Sequence, residues 1–75
     1  MTNTQIKRLA KLFVANVAYH ALGTADGSKL LTDEEYEKFQ EVVYSVTNKI
    51  LKDANIPTEA LFIGSLDNLI EYVQK

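Results

Sequence analysis

The chain has 75 residues, a formal net charge of −2 and no cysteine. This length suits one domain with a small core, because such a chain buries only about 60% of the surface that its unfolded form exposes. The absence of cysteine excludes disulfides and thiolate zinc sites, and the single histidine, His20, argues against a histidine-rich metal site. We therefore expect one helical domain over residues 1–75, with no metal and no cofactor.

The sequence also bears on location. No apolar run approaches the ~20 residues that a membrane-spanning helix needs, so we expect no membrane span. Basic residues precede the first apolar run, but Asn16 and His20 interrupt that run, which argues against a secretory signal peptide. A chain without cysteine fits a reducing compartment, and we expect a cytoplasmic protein.

The first predicted helix covers residues 4–22 and is apolar almost all the way round. Leu12 and Tyr19 lie well away from its main apolar face at ~100° per residue, and Leu22 extends the apolar surface further. In the loop that follows, Asp26 and Gly27 predict a tight turn. The main apolar face, which we expect to be buried, contains Ile6, Ala10, Phe13, Val14 and Val17.

The second predicted helix covers residues 33–54 and has the clearest start in the chain. Thr32 is the expected N-cap, and Glu35, three residues later, completes a capping box. The opposite side of this helix is charged and polar, so we expect it to face solvent. The stripe expected to be buried contains Tyr36, Phe39, Val42, Val43, Val46 and Ile50.

The third predicted helix covers residues 58–74, with Thr58 as its N-cap. The chain breaks before it because the residue that precedes Pro57 is disfavoured in the helical conformation. Gly64 leaves open an alternative in which Ser65 starts a shorter helix, but we favour one continuous helix. Its expected buried stripe contains Phe62, Leu66, Leu69, Ile70 and Val73.

The two short connections indicate that consecutive helices are antiparallel neighbours. The predicted fold is therefore all-α, an antiparallel up-down-up three-helix bundle with helices over about residues 4–22, 33–54 and 58–74.

The first helix has more apolar surface than a monomeric three-helix bundle normally buries. Either this helix lies unusually deeply between its neighbours, or it presents a second apolar face to another molecule. We favour the second interpretation and expect that face to bind another protein or a second copy of the chain, as a homodimer. The expected contact residues are Leu9, Leu12, Tyr19 and Leu22, extended by Tyr44 and Leu51 of the second helix.

Charge is unevenly distributed along the chain. Residues 1–20 contain three basic side chains and no acid, whereas residues 26–41 contain six acids and two lysines. Cations near a helix N-terminus oppose the helix dipole, and a departure from a local rule marks a candidate binding surface. This second candidate surface, the basic end of the bundle, contains Lys7, Arg8, Lys11, Lys49 and Lys52.

The sequence carries no catalytic motif, so we expect a protein that is not an enzyme and has no small-molecule substrate. The favoured function is protein–protein interaction by a regulator, inhibitor or assembly factor, through the second apolar face of the first helix. The alternative is a nucleic-acid-binding module that uses the basic end. It is less favoured because the pI is ≈ 5.2 and because Glu59, Asp67 and Glu71 of the third helix would repel phosphate.

Overall fold

The computed structural model describes residues 1–25 and 29–75, and the turn predicted at Asp26 and Gly27 lies outside these residues. The fold is all-α, with no strand in the described part of the chain. Helix α1 covers Asn3–Ala25, α2 covers Asp33–Asp53 and α3 covers Leu66–Gln74. A short 3₁₀ helix, η1, covers Thr58–Phe62 between α2 and α3.

Helix α1 begins with a capping box that sequence reasoning missed. The Gln5 N–H donates to the Thr2 hydroxyl at 3.1 Å, and the Thr2 N–H donates to the Gln5 side-chain oxygen at 2.8 Å. Two N–H groups that would otherwise lack a partner are satisfied in this way. The helix therefore begins at Asn3, one residue before its predicted start.

Helix α2 begins as predicted. The Glu35 N–H donates to the Thr32 hydroxyl at 3.1 Å, and the Glu35 carboxylate accepts from the Thr32 N–H at 2.9 Å. The capping box is thus confirmed at both of its hydrogen bonds. The three acidic residues of the first turn also interact favourably with the positive end of the helix dipole.

Helix α2 ends in a Schellman motif. Asn55 adopts a left-handed conformation with φ 58°, and its N–H donates to the Lys52 carbonyl at 3.0 Å. The Ile56 N–H reaches back to the Leu51 carbonyl at 2.9 Å. Ile56 and Leu51 are both buried, which supplies the apolar contact that usually accompanies this motif.

The third predicted helix is not continuous, and the alternative start at Ser65 is correct. Thr58 is the first residue of η1 and not an N-cap, since the preceding cap position belongs to Pro57, which makes no side-chain hydrogen bond. Ile63 then leaves the helical region at φ −67° and ψ 131°. The Ser65 hydroxyl accepts from the Asn68 N–H at 3.2 Å and starts α3.

Helix α1 is the central element, because it packs against α2, η1 and α3. The Arg8 side chain donates from Nε to the Ala54 carbonyl at 3.3 Å, and the Tyr36 hydroxyl donates to the Leu22 carbonyl at 3.4 Å. These contacts join the start of α1 to the end of α2 and the end of α1 to the start of α2. The two long helices are therefore antiparallel, as predicted.

The core lies on the opposite side of α1 from the one predicted. Leu12 and Ala15 are fully buried, and Asn16 and Leu22 are nearly so, because this side faces both α2 and the η1–α3 segment. The remaining buried apolar residues of the core are Leu51, Ala54, Ile56, Ala60, Leu61, Leu69 and Val73. Leu69 and Val73 were correctly expected there, whereas Phe62 and Leu66 of the same predicted stripe are exposed.

Candidate binding surface

The apolar residues predicted to contact a partner mostly form the core instead. Leu12, Leu22 and Leu51 are at most 6% exposed, so no partner can reach them in this fold. Leu9 and Tyr19 are partly buried and pack against the same core. The expectation that Leu12, Leu22 and Leu51 contact a partner is therefore wrong, because α1 lies deeply between its neighbours. Leu9 and Tyr19 keep only part of their surface in water.

Tyr44, the remaining residue of that predicted set, lies at the surface with 37% of its area exposed. It belongs to a group of rings around Tyr19, whose centroid lies 6.1 Å from that of Tyr44, 5.6 Å from that of Phe62 and 5.5 Å from that of His20. Edge-on and tilted ring pairs of this kind add modest stability to packed helices. The histidine is exposed, and its ring lies edge-on to that of Tyr19.

A different apolar surface is exposed, and it consists of residues that were predicted to be buried. We call it the α1–α2 face. Each of its large side chains is between 43% and 56% exposed. Seven residues form it: Ile6, Phe13, Val14 and Val17 of α1 and Phe39, Val42 and Val46 of α2.

The two halves of this face are joined by an apolar groove. Val14 and Ala18 of α1 line it on one side, and Val43, Val46 and Ile50 are among the α2 residues that line it on the other. A second apolar groove, lined by Ile6, Leu9, Ala10, Phe13 and Leu66, lies along the other flank of α1. The exposed residues thus belong to one surface that extends across adjacent elements.

The sequence of α1 explains how one helix can serve both the core and this face. Residues at 9, 12, 16 and 19 follow the i, i+3, i+4 spacing of one helix face, and those at 6, 10, 13 and 17 follow it on the other. In α2, Thr47 is buried because its hydroxyl donates to the Tyr44 carbonyl at 3.0 Å, which satisfies its hydrogen bond inside the helix. The burial of Thr47 and Leu51 turns Val42 and Val46 outward.

The α1–α2 face is large for a domain of this size. At roughly 150–200 Å² for each large apolar side chain, seven half-exposed side chains leave on the order of 600 Å² of apolar surface in water. The largest apolar patch on a typical monomer is about 300–600 Å² and is often functional. This face therefore lies at the upper end of the range for a typical monomer.

The antiparallel packing of α1 and α2 places the residues of the predicted basic end at one end of the molecule, but their environments differ. Lys7, Lys11, Lys49 and Lys52 are exposed. Arg8 is half-buried and is engaged with the Ala54 carbonyl at the C-terminus of α2. A cation is favourable there, so the antiparallel packing removes the conflict with the dipole of α1 that had suggested a phosphate-binding role for this arginine.

The described residues contain no candidate metal site. No group of three or more histidine, aspartate or glutamate side chains among them could hold a metal ion. Every buried side-chain nitrogen or oxygen in the described part of the chain has a hydrogen-bond partner. Within residues 1–25 and 29–75, no helix has both the length and the hydropathy to cross a membrane.

No protein-family model matches the chain, and neither a curated protein nor a solved structure matches it. Function therefore has to be inferred from the α1–α2 face itself.

Proposed function

We propose that this protein is a non-enzymatic protein–protein interaction module that binds its partner through the α1–α2 face. The observation that carries the proposal is the exposure of seven large apolar side chains on two adjacent, antiparallel helices. The class of function is the one expected from the sequence. The contact residues differ, because the Leu12 side of α1 is the core.

The free energy gained by covering this surface is of the same order as the cost of association. Burying on the order of 600 Å² of apolar area contributes about 15 kcal/mol at 25 cal/mol per Å², before the partner's own surface is counted. Association costs an estimated 4–15 kcal/mol in lost translational and rotational freedom. The gain and the cost are of similar size, so the affinity depends on how well the partner fits the grooves.

The composition of the face also suits a binding role. Phe13 and Phe39 supply aromatic anchors, and the valines between them lose little side-chain entropy when they are covered. Charged residues such as Lys49 and Glu35 stand near its two ends, which gives an apolar centre with a polar rim. Because both helices pack against each other in the folded chain, the face is already formed in the monomer.

A site-specific photocross-linking experiment tests this proposal. A benzophenone amino acid replaces Val46 on the face in one variant and Asn48, which is exposed on another side of α2, in the control variant. After irradiation in cells that make the protein, we expect the Val46 variant to give a discrete protein adduct and the Asn48 variant to give none. Equal or absent adducts at the two positions would contradict the proposed function.

A further inference from the structure

We infer that the occupant of the α1–α2 face is a second copy of this chain, related to the first by a two-fold axis that lies in the plane of the interface and crosses the helices. This inference rests on the proposed function, because it names the partner of the same surface.

The area of the face is one reason to choose a second copy. Two copies that cover each other's face bury on the order of 1,200 Å² of apolar surface in total. Specific protein–protein interfaces bury about 1,200–2,000 Å², so the face reaches the lower limit without any contribution from its rim. Dimerisation also adds proportionally more stability to a domain of 75 residues than to a larger domain, because the core of the small domain is small.

The charge distribution selects the orientation. The antiparallel packing of α1 and α2 places four exposed lysines and two exposed acids at one end of the molecule: Lys7, Lys11, Lys49, Lys52, Asp53 and Glu59. Five exposed acids and one exposed lysine occupy the first half of α2 at the opposite end: Asp33, Glu34, Glu35, Glu37, Glu41 and Lys38. A two-fold axis across the helices stacks the basic end of one copy on the acidic end of the other.

The other symmetric arrangement is unfavourable. An axis parallel to the helices would stack α2 of one copy on α1 of the other in the same direction. The basic end of each copy would then lie on the basic end of the other, and like charges in contact oppose association. An anionic membrane surface fits the face less well than a second copy does, because the acidic end, including Glu35 and Glu37, would be repelled by it. One copy therefore provides both the apolar surface and the complementary ends that the other copy requires.

In this arrangement each helix stacks on its own equivalent in the reverse direction. Lys38 and Lys49 of α2 lie on similar flanks of the face and at similar distances from its middle. Lys38 of one copy should therefore lie at the level of Lys49 of the other, so this pair on the flank is like-charged although the two ends as a whole carry opposite net charge. The two copies of Lys49 should be separated by about 16 Å along the helix axis, which is 11 residues at 1.5 Å each.

Light scattering tests the inference directly. We expect the purified protein to have twice the mass of one 8.4 kDa chain at high concentration and to dissociate on dilution. Val46→Glu should raise the Kd of the dimer by at least about 100-fold. The substitution occurs in both copies, so the interface would bury two carboxylates without partners. The matched variant Asn48→Glu adds the same charge outside the face and should leave Kd unchanged. Circular dichroism checks that both variants keep their helices.

The orientation is tested with cysteines introduced into this cysteine-free chain. A mixture of Lys38→Cys and Lys49→Cys proteins should be joined by a short bismaleimide, whereas Lys49→Cys alone should not. Efficient cross-linking of Lys49→Cys alone would overturn the antiparallel arrangement.

The outcomes separate this inference from the proposed function. A wild-type monomer at every concentration, or a dimer that tolerates Val46→Glu, would overturn the inference. The proposed function would still stand if the photoreactive residue at position 46 captured a different protein. If the photoreactive residue at position 46 captured no protein at all, both the proposed function and the inference of a dimer would be contradicted.

Discussion

The side-chain amide of Asn16, on α1, donates one hydrogen bond to the main-chain carbonyl of Ile63 at 2.9 Å and another to that of Leu61 at 3.1 Å. These carbonyls lie where η1 ends and the chain becomes extended before α3. They cannot accept from a continuing helix, because the residues that would supply the N–H groups have left it. The buried asparagine therefore supplies hydrogen bonds that a continuing helix would have given these carbonyls.

Replacing Asn16 with alanine should destabilise the protein. The substitution leaves two carbonyls without their donor, one of them in a buried contact, and a buried polar group without a partner costs about 1–3 kcal/mol. We expect the free energy of unfolding to fall by about that amount in urea denaturation, and amide exchange to accelerate around residues 61–65. Asn48→Ala, at an exposed position, should leave both measurements unchanged. Equal effects at the two positions would contradict this role.

The α-helical segments could be predicted from the sequence because their signals are local. Each signal depends on residues only a few positions apart. The signals are the capping box of Thr32 and Glu35, the helix break before Pro57 and the apolar periodicity of α2. The division of the third predicted helix into η1 and α3 is harder to predict. Gly64 gave only a weak signal, and the donor that stabilises the break, Asn16, is 47 residues away from Ile63 in the chain.

The side of α1 that faces the core could not be chosen from periodicity. Both sides satisfy the i, i+3, i+4 spacing, so Leu12 and Phe13 were equally acceptable as core residues. The choice depends on the packing of α2 and η1, which is non-local. One usable signal was present: Asn16 stands in the stripe of Leu12 and Tyr19, and a polar residue there is explained when buried carbonyls require a donor.

Alanine substitutions should distinguish the core side of α1 from its exposed side. Leu12→Ala removes a fully buried side chain and should cost about 2–5 kcal/mol. Val17→Ala removes a half-exposed one and should change the stability of the monomer by less than about 1 kcal/mol. Both should be measured in the Val46→Glu background, so that association does not contribute. A larger loss for Val17→Ala would show that the core is on the other side.

Asn55, the left-handed residue at the end of α2, should tolerate glycine but not alanine. Glycine tolerates positive φ at no steric cost, so Asn55→Gly should leave stability unchanged or raise it slightly. Asn55→Ala should lower the unfolding free energy by about 1 kcal/mol, because a Cβ without a local hydrogen-bonding group is disfavoured there. Thermal unfolding of the two variants side by side provides the measurement. Alanine as stable as glycine would contradict the assigned conformation.

The N-cap of α2 should contribute more to stability than a threonine that makes no cap. Thr32→Ala removes the acceptor for the Glu35 N–H and should cost about 1 kcal/mol. Thr58→Ala, at an exposed position in η1, is the matched control and should be close to neutral. Chemical denaturation of both variants tests the difference, and equal midpoints would argue against the capping box as a source of stability.

The concentration dependence of thermal unfolding links the α1–α2 face to the stability of the fold. If two copies cover each other's face, dimerisation stabilises the folded state by mass action, and the melting temperature rises with protein concentration. For a domain of this size, a tenfold increase should raise Tm by a few degrees, since about 1 kcal/mol corresponds to about 4–8 °C. Val46→Glu should make Tm independent of concentration, and Asn48→Glu should preserve the wild-type slope. A wild-type Tm that does not change over a hundredfold range, measured by calorimetry, would show that the folded monomer is stable with its apolar face in water.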